Sequence, residues 1–127
     1  MSKLGCKCGH IITDQADNLA YKAEFVRNQD LPAYDVFLKD VSNFASSIEN
    51  GTKKEWLQNY FGDNNYEKLD NYFIIQYIYA IKVVNIIGTV YLCENCGRVL
   101  IQKGNGNAFL PFSPDNSEWK DLFKGIV

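Results

Sequence analysis

Apolar and polar positions alternate with a period of two near the start of the chain and recur every three or four residues in its middle. Tyr21, Ala23 and Phe25 alternate with Lys22 and Glu24, as in a strand with one buried face. From residue 31 onward the period changes, which predicts a long helix. The apolar positions of that helix are Tyr34, Phe37, Leu38, Val41, Phe44, Ala45 and Ile48.

Turn and cap signals divide this helical region. Asp30 can cap the first helix, and Asn50-Gly51 supplies residues that tolerate the left-handed conformation at its end. Thr52 and Glu55 have the spacing of a capping box, which predicts a short second helix that ends at Gly62.

Residues 66–84 predict a third helix, because Tyr66, Phe73 and Tyr77 belong to a further apolar set at helical spacing. A buried strand is the alternative for residues 70–84, which are rich in aromatic and β-branched side chains. Helix is favoured over strand. A membrane span over residues 72–92 is not expected, since polar residues and Gly88 interrupt the stretch.

The last third of the chain predicts strands again. Short apolar runs at 89–92, 99–101 and 108–110 indicate a β-meander, with a hairpin turn at the Gly-Asn repeat of 104–107. The spacing of Trp119, Leu122 and Phe123 predicts a short amphipathic helix that closes the chain.

The four cysteines fall in two close pairs, each followed by glycine. Cys6 and Cys8 form a Cys-x-Cys-Gly motif, and Cys93 and Cys96 form a Cys-x-x-Cys-Gly motif between two apolar runs. A thiolate pair on a tight turn is typical of a zinc knuckle, and structural zinc prefers four tetrahedral ligands. The pattern predicts one structural Zn²⁺ bound by these four thiolates.

Other roles for the cysteines fit the pattern less well. Disulfides are uncommon in a reducing compartment, and a redox role for the second pair would leave the first without a purpose. His10, the single histidine, is either a replacement ligand or a hydrogen-bonding neighbour of a thiolate. An ordinary strand histidine is favoured over ligation.

The two knuckles are separated by the predicted helices, so we expect an α+β fold. In it, both chain ends form a zinc-ribbon-like antiparallel sheet, and a helical insertion at roughly 30–85 lies between the knuckles. A length of 127 residues with 46% hydrophobic and 22% charged composition predicts one globular domain over 1–127. No secretion signal is evident, which predicts a cytoplasmic location.

Catalysis has little support in the sequence. Four thiolates would fill the coordination sphere of zinc, whereas catalytic zinc needs an open position for water. Asp14 and Asp17 lie in a turn-forming cluster, where backbone hydrogen bonding explains them better than acid–base chemistry. We therefore expect that the protein is not an enzyme.

The positions Cys6-x-Cys8-Gly9, Ile12, Asp14, Asp17, Leu19 and Tyr21-Lys22-Ala23, with Cys93-x-x-Cys96-Gly97-Arg98, resemble a group of small bacterial zinc-ribbon-like proteins. Some small acidic proteins of this kind are similar to immunity proteins of contact-dependent inhibition and other polymorphic toxin systems. The resemblance implies a zinc-stabilised module that neutralises a toxin domain by binding it. It covers both chain ends and does not include the helical middle.

The formal net charge of −2 suits such a binding role, because many toxins are basic nucleases. The alternative is a nucleic-acid-associated zinc ribbon, which would need a basic patch near the knuckles. The candidates for that patch are Lys3, Lys7, Lys22, Arg98 and Lys103.

Overall fold

Strands form at both ends of the chain and helices form between them, in a computed structural model that describes residues 3–125. The strands are β1 (Lys3–Gly5), β2 (Ile11–Thr13), β3 (Lys22–Val26), β4 (Ile87–Leu92), β5 (Val99–Gln102) and β6 (Phe109–Phe112). The helices are α1 (Pro32–Glu49), α2 (Lys53–Phe61) and α3 (Asn71–Lys82), with short 3-10 helices at Asn28–Asp30, Asn64–Lys68 and Val84–Ile86. The α+β prediction is confirmed.

The strands of the described residues form two antiparallel sheets. β1 pairs with β2, and the other four pair in the order β3-β4-β5-β6. The long connection from β3 to β4 contains all three helices, while β4-β5-β6 is the predicted meander. At the β5–β6 turn, the Lys103 amide donates to the Ala108 carbonyl at 2.8 Å.

The chain divides into two compact units with separate cores. The helical unit is Arg27–Ile86, close to the predicted insertion at 30–85, and the remainder of the chain is called the metal-site unit. Both chain ends belong to the metal-site unit. The prediction of a single domain over 1–127 stays a prediction, and residues 1, 2, 126 and 127 lie outside the described residues.

The core of the metal-site unit lies on one face of the four-stranded sheet. Register places Lys22, Tyr91, Leu100 and Pro111 in one row across β3 to β6. Alternation puts the neighbours of these residues on the opposite face. Tyr91 and Leu100 are buried, in one cluster with Cys6, Ile12 and Cys93.

The core of the helical unit joins one face of each helix. Phe44 of α1, Leu57 of α2 and Ile74 and Ile78 of α3 are buried together. Aromatic rings surround them: Trp56 stacks on Tyr60 with centroids 4.6 Å apart, and further pairs join Phe61 to Tyr66 and Tyr66 to Tyr77.

Helix is confirmed over strand for α3. Its two fully buried residues, Ile74 and Ile78, are four positions apart, as one helical face requires. β4 begins at Ile87, five residues after α3 ends. Among the described residues, no helix has both the length and the apolar character needed to cross a bilayer.

Three predicted details of the helices are wrong. Asp30 does not cap α1; its carboxylate accepts from the Arg27 Nε at 2.7 Å. Thr52 makes no capping bond to α2, because its hydroxyl faces the Ser47 carbonyl at 3.5 Å. The closing segment around Trp119 forms consecutive turns instead of a helix. In one of these turns the Leu122 amide donates a hydrogen bond to the Trp119 carbonyl.

Candidate metal centre

The first knuckle connects β1 to β2. The Cys6 amide donates to the His10 carbonyl at 2.9 Å, and the Gly9 amide donates to the Cys6 carbonyl at 3.0 Å. Gly9 has φ of +95°, a conformation that other residues adopt only with strain. These bonds turn the chain tightly enough to hold Cys6 and Cys8 on the same side.

The second knuckle connects β4 to β5 and follows the same plan with one more residue. The Cys93 amide donates to the Arg98 carbonyl and the Gly97 amide donates to the Cys93 carbonyl, both at 2.8 Å. Gly97 also has a left-handed backbone, with φ of +81°. The Cys-x-Cys and Cys-x-x-Cys motifs therefore give related turns despite their different spacing.

The four sulfur atoms converge on one point, all within 4.8 Å of one another. Cys6 Sγ lies 3.6 Å from Cys96 Sγ, and Cys8 Sγ lies 3.6 Å from Cys93 Sγ. A zinc tetrahedron with bonds of about 2.3 Å has edges of about 3.8 Å. These separations fit such a tetrahedron and are far longer than a disulfide bond of about 2.05 Å.

The surroundings of the sulfurs differ from one ligand to another. Cys6 and Cys93 are buried, Cys96 is half-buried and Cys8 is exposed. In the metal-free thiols, burial raises the pKa of Cys93 to about 12. The Asn95 amide group, followed by the backbone of His10, lowers the pKa of Cys8 to about 6. The thiol of Cys8 is thus more readily ionised than that of Cys93, whose neutral form is favoured by burial.

Two side chains outside the ligand set donate hydrogen bonds to the sulfurs. Asn95 Nδ2 donates to Cys8 Sγ and Arg98 Nη1 donates to Cys96 Sγ, both at 3.3 Å. Such donors orient thiolates and spread their charge. Neither role was predicted from the sequence, although the position of Asn95 inside the Cys-x-x-Cys turn was a signal that could have indicated its role.

His10 is not among the residues whose ligand atoms converge. It is exposed, and its contribution to the first knuckle comes from its backbone, which accepts a bond from Cys6. Among the described residues, the group whose ligand atoms could together hold a metal ion is therefore Cys6, Cys8, Cys93 and Cys96.

Trp119 packs directly against the second knuckle. A Cβ placed on Gly97 would lie 2.5 Å from three atoms of the Trp119 ring. The ring also borders a cavity of about 440 Å³ beside Leu92 and Glu94. The closing segment thus covers the knuckle, and Gly97 has two independent reasons to be glycine.

Asp14 has a structural role in the metal-site unit. Its carboxylate accepts from Lys22 Nζ at 2.6 Å and from the Tyr91 hydroxyl. The Lys22 hydrogen bond, with that of Tyr91, lowers the pKa of Asp14 below its usual value. Asp17 is exposed and does not share this network. The two carboxylates therefore do not act as a pair.

A family model described as a domain of unknown function, DUF8617, matches residues 2–116. The chain belongs to this family. The DUF8617 match includes all four cysteines and the whole helical unit, whereas Trp119 lies beyond it. No curated protein and no solved structure matches the chain.

Proposed function

We propose that this protein is a non-catalytic, zinc-stabilised protein-binding module, and that it acts as an immunity protein that neutralises a bacterial toxin by binding it. The convergence of the four sulfurs carries the proposal. Thiolate ligands in a tetrahedron favour zinc, and four of them leave no position for a reactive water. The free thiols suit a reducing compartment such as the cytoplasm.

We assign the contact surface for the partner to a row of apolar residues along α1. This row begins at Leu31, the N-cap residue of the helix, and we call it the outer seam of α1. Leu38, Leu31 and Ile48 on this seam are 60%, 45% and 41% exposed. Alternating steps of three and four residues produce a seam that a second helix can pack against. The exposed residues of the seam are Leu31, Leu38, Ala45 and Ile48; Tyr34 and Val41 between them are half-buried, and Val41 also packs against the core of the helical unit.

Acidic groups border this seam. Asp35 and Glu49 lie beside it on the exposed side of α1, and neither makes an ion pair or hydrogen bond within the described residues. The helical unit contains eight acidic and six basic side chains, a formal charge of −2, whereas the metal-site unit has seven of each. A toxin that presents an apolar ridge with basic flanks complements this surface.

The alternative, a nucleic-acid-binding ribbon, has less support. Of its candidate residues, Lys22 is paired with Asp14 and Arg98 donates to a cysteine sulfur. Lys3, Lys7 and Lys103 are left as exposed cations. Four thiolates with one Zn²⁺ would add about two negative charges next to Lys7, which lies between Cys6 and Cys8 in the sequence.

The metal is tested by elemental analysis of protein purified without added metal. We expect about one zinc per chain in the native protein and a loss of zinc from Cys93→Ser, because a four-ligand site loses a buried ligand. Native protein without metal would contradict the structural zinc site.

Binding is tested in two steps. A toxin is first captured on the native protein and purified, and its affinity for the native protein and its variants is then measured by titration calorimetry. Leu38→Glu should weaken binding at least about tenfold, since it places a charge in the seam. Val36→Glu is the matched control, because Val36 is 43% exposed on the other side of α1. The native protein should also restore the growth of cells that express the toxin. Equal affinities of both variants, or growth that is not restored, would contradict the proposal.

A further inference from the structure

α3 carries an apolar surface that is distinct from the seam of α1. Phe73, Tyr77 and Ile81 follow one another at four-residue steps and are 47%, 45% and 50% exposed. The buried residues Ile74 and Ile78 lie on the adjoining face of the same helix. We call the three exposed residues the outer stripe of α3.

The outer stripe itself contains no charged residue, and the carboxylate that precedes it is that of Asp70, one turn before Phe73. No residue from Asn71 to Ile81 is ionisable except through tyrosine hydroxyls, which are neutral at pH 7. On the flank, Tyr72 is 66% exposed, and its hydroxyl accepts from Gln76 Nε2 at 3.0 Å. By contrast, carboxylates border the α1 seam.

Neighbouring rings hold the aromatic residues of the stripe in place. Tyr77 meets Tyr66 edge to face at 5.3 Å, and Phe73 meets Tyr72 in the same way at 5.6 Å. Side chains that are already ordered lose less entropy when they are covered. Tyrosine and phenylalanine also contribute large contact areas at interfaces.

We propose that the outer stripe of α3 is the interface between two copies of this chain, which pair as antiparallel helices about a two-fold axis near Tyr77. The half-exposed stripe with its flank presents on the order of 500 Å² of surface, because each aromatic side chain contributes up to about 150–250 Å². Two copies would bury about 1,000 Å², close to the lower limit for a specific interface.

A second copy fits this stripe better than it fits the α1 seam. In a two-fold interface the same patch meets itself, so charges on the patch would repel their own counterparts. The outer stripe avoids that repulsion, whereas Asp35 and Glu49 on α1 would face like charges. Pairing of α3 is therefore independent of the proposed toxin partner and uses a different helix.

Antiparallel pairing also fixes which residues meet. Phe73 and Ile81 are each four residues from Tyr77, so each Phe73 faces Ile81 of the second copy. Within one helix these two residues are about 12 Å apart, too far to contact each other. A charge at position 73 can therefore find an opposite charge at position 81 only across the interface.

The first test is sedimentation velocity of the zinc-loaded full chain over a concentration series. We expect a dimer that forms in the micromolar range, and at least about a tenfold weaker dimer for Tyr77→Asp. Val36→Asp, the same change on α1, should leave the dimer intact. Circular dichroism and zinc content should match the native protein in both variants, which separates lost pairing from lost folding.

The second test exchanges the apolar contact for a charged one. The double variant Phe73→Lys with Ile81→Asp should dimerise at least about tenfold more tightly than Phe73→Asp with Ile81→Asp, because only the first places opposite charges across the axis. Equal dimerisation of the two variants would overturn the antiparallel arrangement. A native chain that stays monomeric, or a dimer lost with Phe112→Asp and kept with Tyr77→Asp, would overturn the proposal.

Discussion

At the scale of single residues, the two knuckle glycines are constrained to different degrees. Gly9 and Gly97 both have positive φ, which costs any other residue about 1–2 kcal/mol. A Cβ at Gly9 would meet nothing within 4 Å, whereas one at Gly97 would lie 2.5 Å from the Trp119 ring. Gly97 therefore has a steric constraint in addition to a conformational one.

Gly97→Ala should lower the free energy of unfolding more than Gly9→Ala does. We expect about 1–2 kcal/mol for Gly9→Ala, from backbone conformation alone, and at least twice that for Gly97→Ala. Urea denaturation of the zinc-loaded proteins measures both. Combining Gly97→Ala with Trp119→Ala should cost less than the two changes added together, because the clash is removed. Equal effects at the two glycines would contradict this account.

The clustering of the cysteines could be predicted because they are four residues of one kind in two glycine-terminated pairs. Their supporting contacts could not. Asn95 donates to a sulfur 87 positions away, and the contact of Trp119 with Gly97 depends on how the closing segment folds back. Helical spacing in that segment did not reveal that it would form turns.

At the scale of elements, one carboxylate ties the loop after β2 to β3 and β4. Asp14 accepts from Lys22 of β3 and from Tyr91 of β4, and Lys22 Nζ also lies 5.9 Å from the centroid of the Tyr91 ring. Burial, with the hydrogen bond to Asp14, raises the pKa of Tyr91 above its usual value of 10.0. The neutral phenol is therefore favoured in the folded state.

Tyr91→Phe should destabilise the protein by about 1–2 kcal/mol at pH 7, because a buried hydrogen bond to a charged acceptor is lost. Because the pKa of Tyr91 is higher in the folded state than in the unfolded state, the neutral phenol stabilises the fold below pH 10. This contribution is lost as the pH rises toward the pKa of the folded state. The difference between native protein and variant should be constant below about pH 10 and should shrink as the pH rises above that value. Denaturant midpoints on both sides of that pH measure it. Tyr72→Phe, at an exposed position, is the control, and a difference that stays constant above that pH would refute the linkage.

Element type was easier to predict from the sequence than element ends. The helical spacing of Tyr66, Phe73 and Tyr77 favoured a helix for α3 in spite of its β-branched residues, although the structure buries Ile74 and Ile78 and leaves Phe73 and Tyr77 exposed. Helix caps were harder to predict, because each capping side chain has other hydrogen-bond partners nearby. Asp30 accepts a hydrogen bond from a nearby arginine, and the hydroxyl of Thr52 turns back toward the end of α1. Each polar side chain has several nearby partners, and spacing does not rank them.

At the scale of the whole molecule, the described residues form two cores, and the four cysteines that could hold a metal ion lie in only one of the two units. Cys6 and Cys93 are part of the cluster in the metal-site unit. The cluster of the helical unit contains Phe44, Leu57, Ile74 and Ile78 and no cysteine. Metal binding should therefore stabilise the two units unequally.

Removal of zinc by a chelator under reducing conditions should unfold the metal-site unit and leave most helical ellipticity at 222 nm. Structural zinc contributes roughly 10–16 kcal/mol, as much as the whole stability of an ordinary domain. Thermal melts should then show one transition that depends on the chelator and one that does not. Leu57→Ala should lower only the second, by about 2–5 kcal/mol. A single transition that moves as a whole would contradict this expectation.

Chain-level organisation was partly visible in the sequence. The separation of the cysteine pairs required an insertion, and the change of hydrophobic period placed it at roughly 30–85, close to the observed unit Arg27–Ile86. The separate β1–β2 sheet and the pairing of β3 with β4 were not predicted, because pairing between distant strands has no local sequence signal.

The pairing of Val26 with Ile87 makes the insertion replaceable. These residues are direct partners in the β3–β4 ladder, so the polypeptide leaves the sheet and re-enters it at points about 5 Å apart. A tight Asn-Gly turn can connect strands over the same gap. The metal-site unit is therefore a scaffold in which loops or helical hairpins of other lengths can replace the helical insertion. The positions of the four cysteines relative to one another would stay the same.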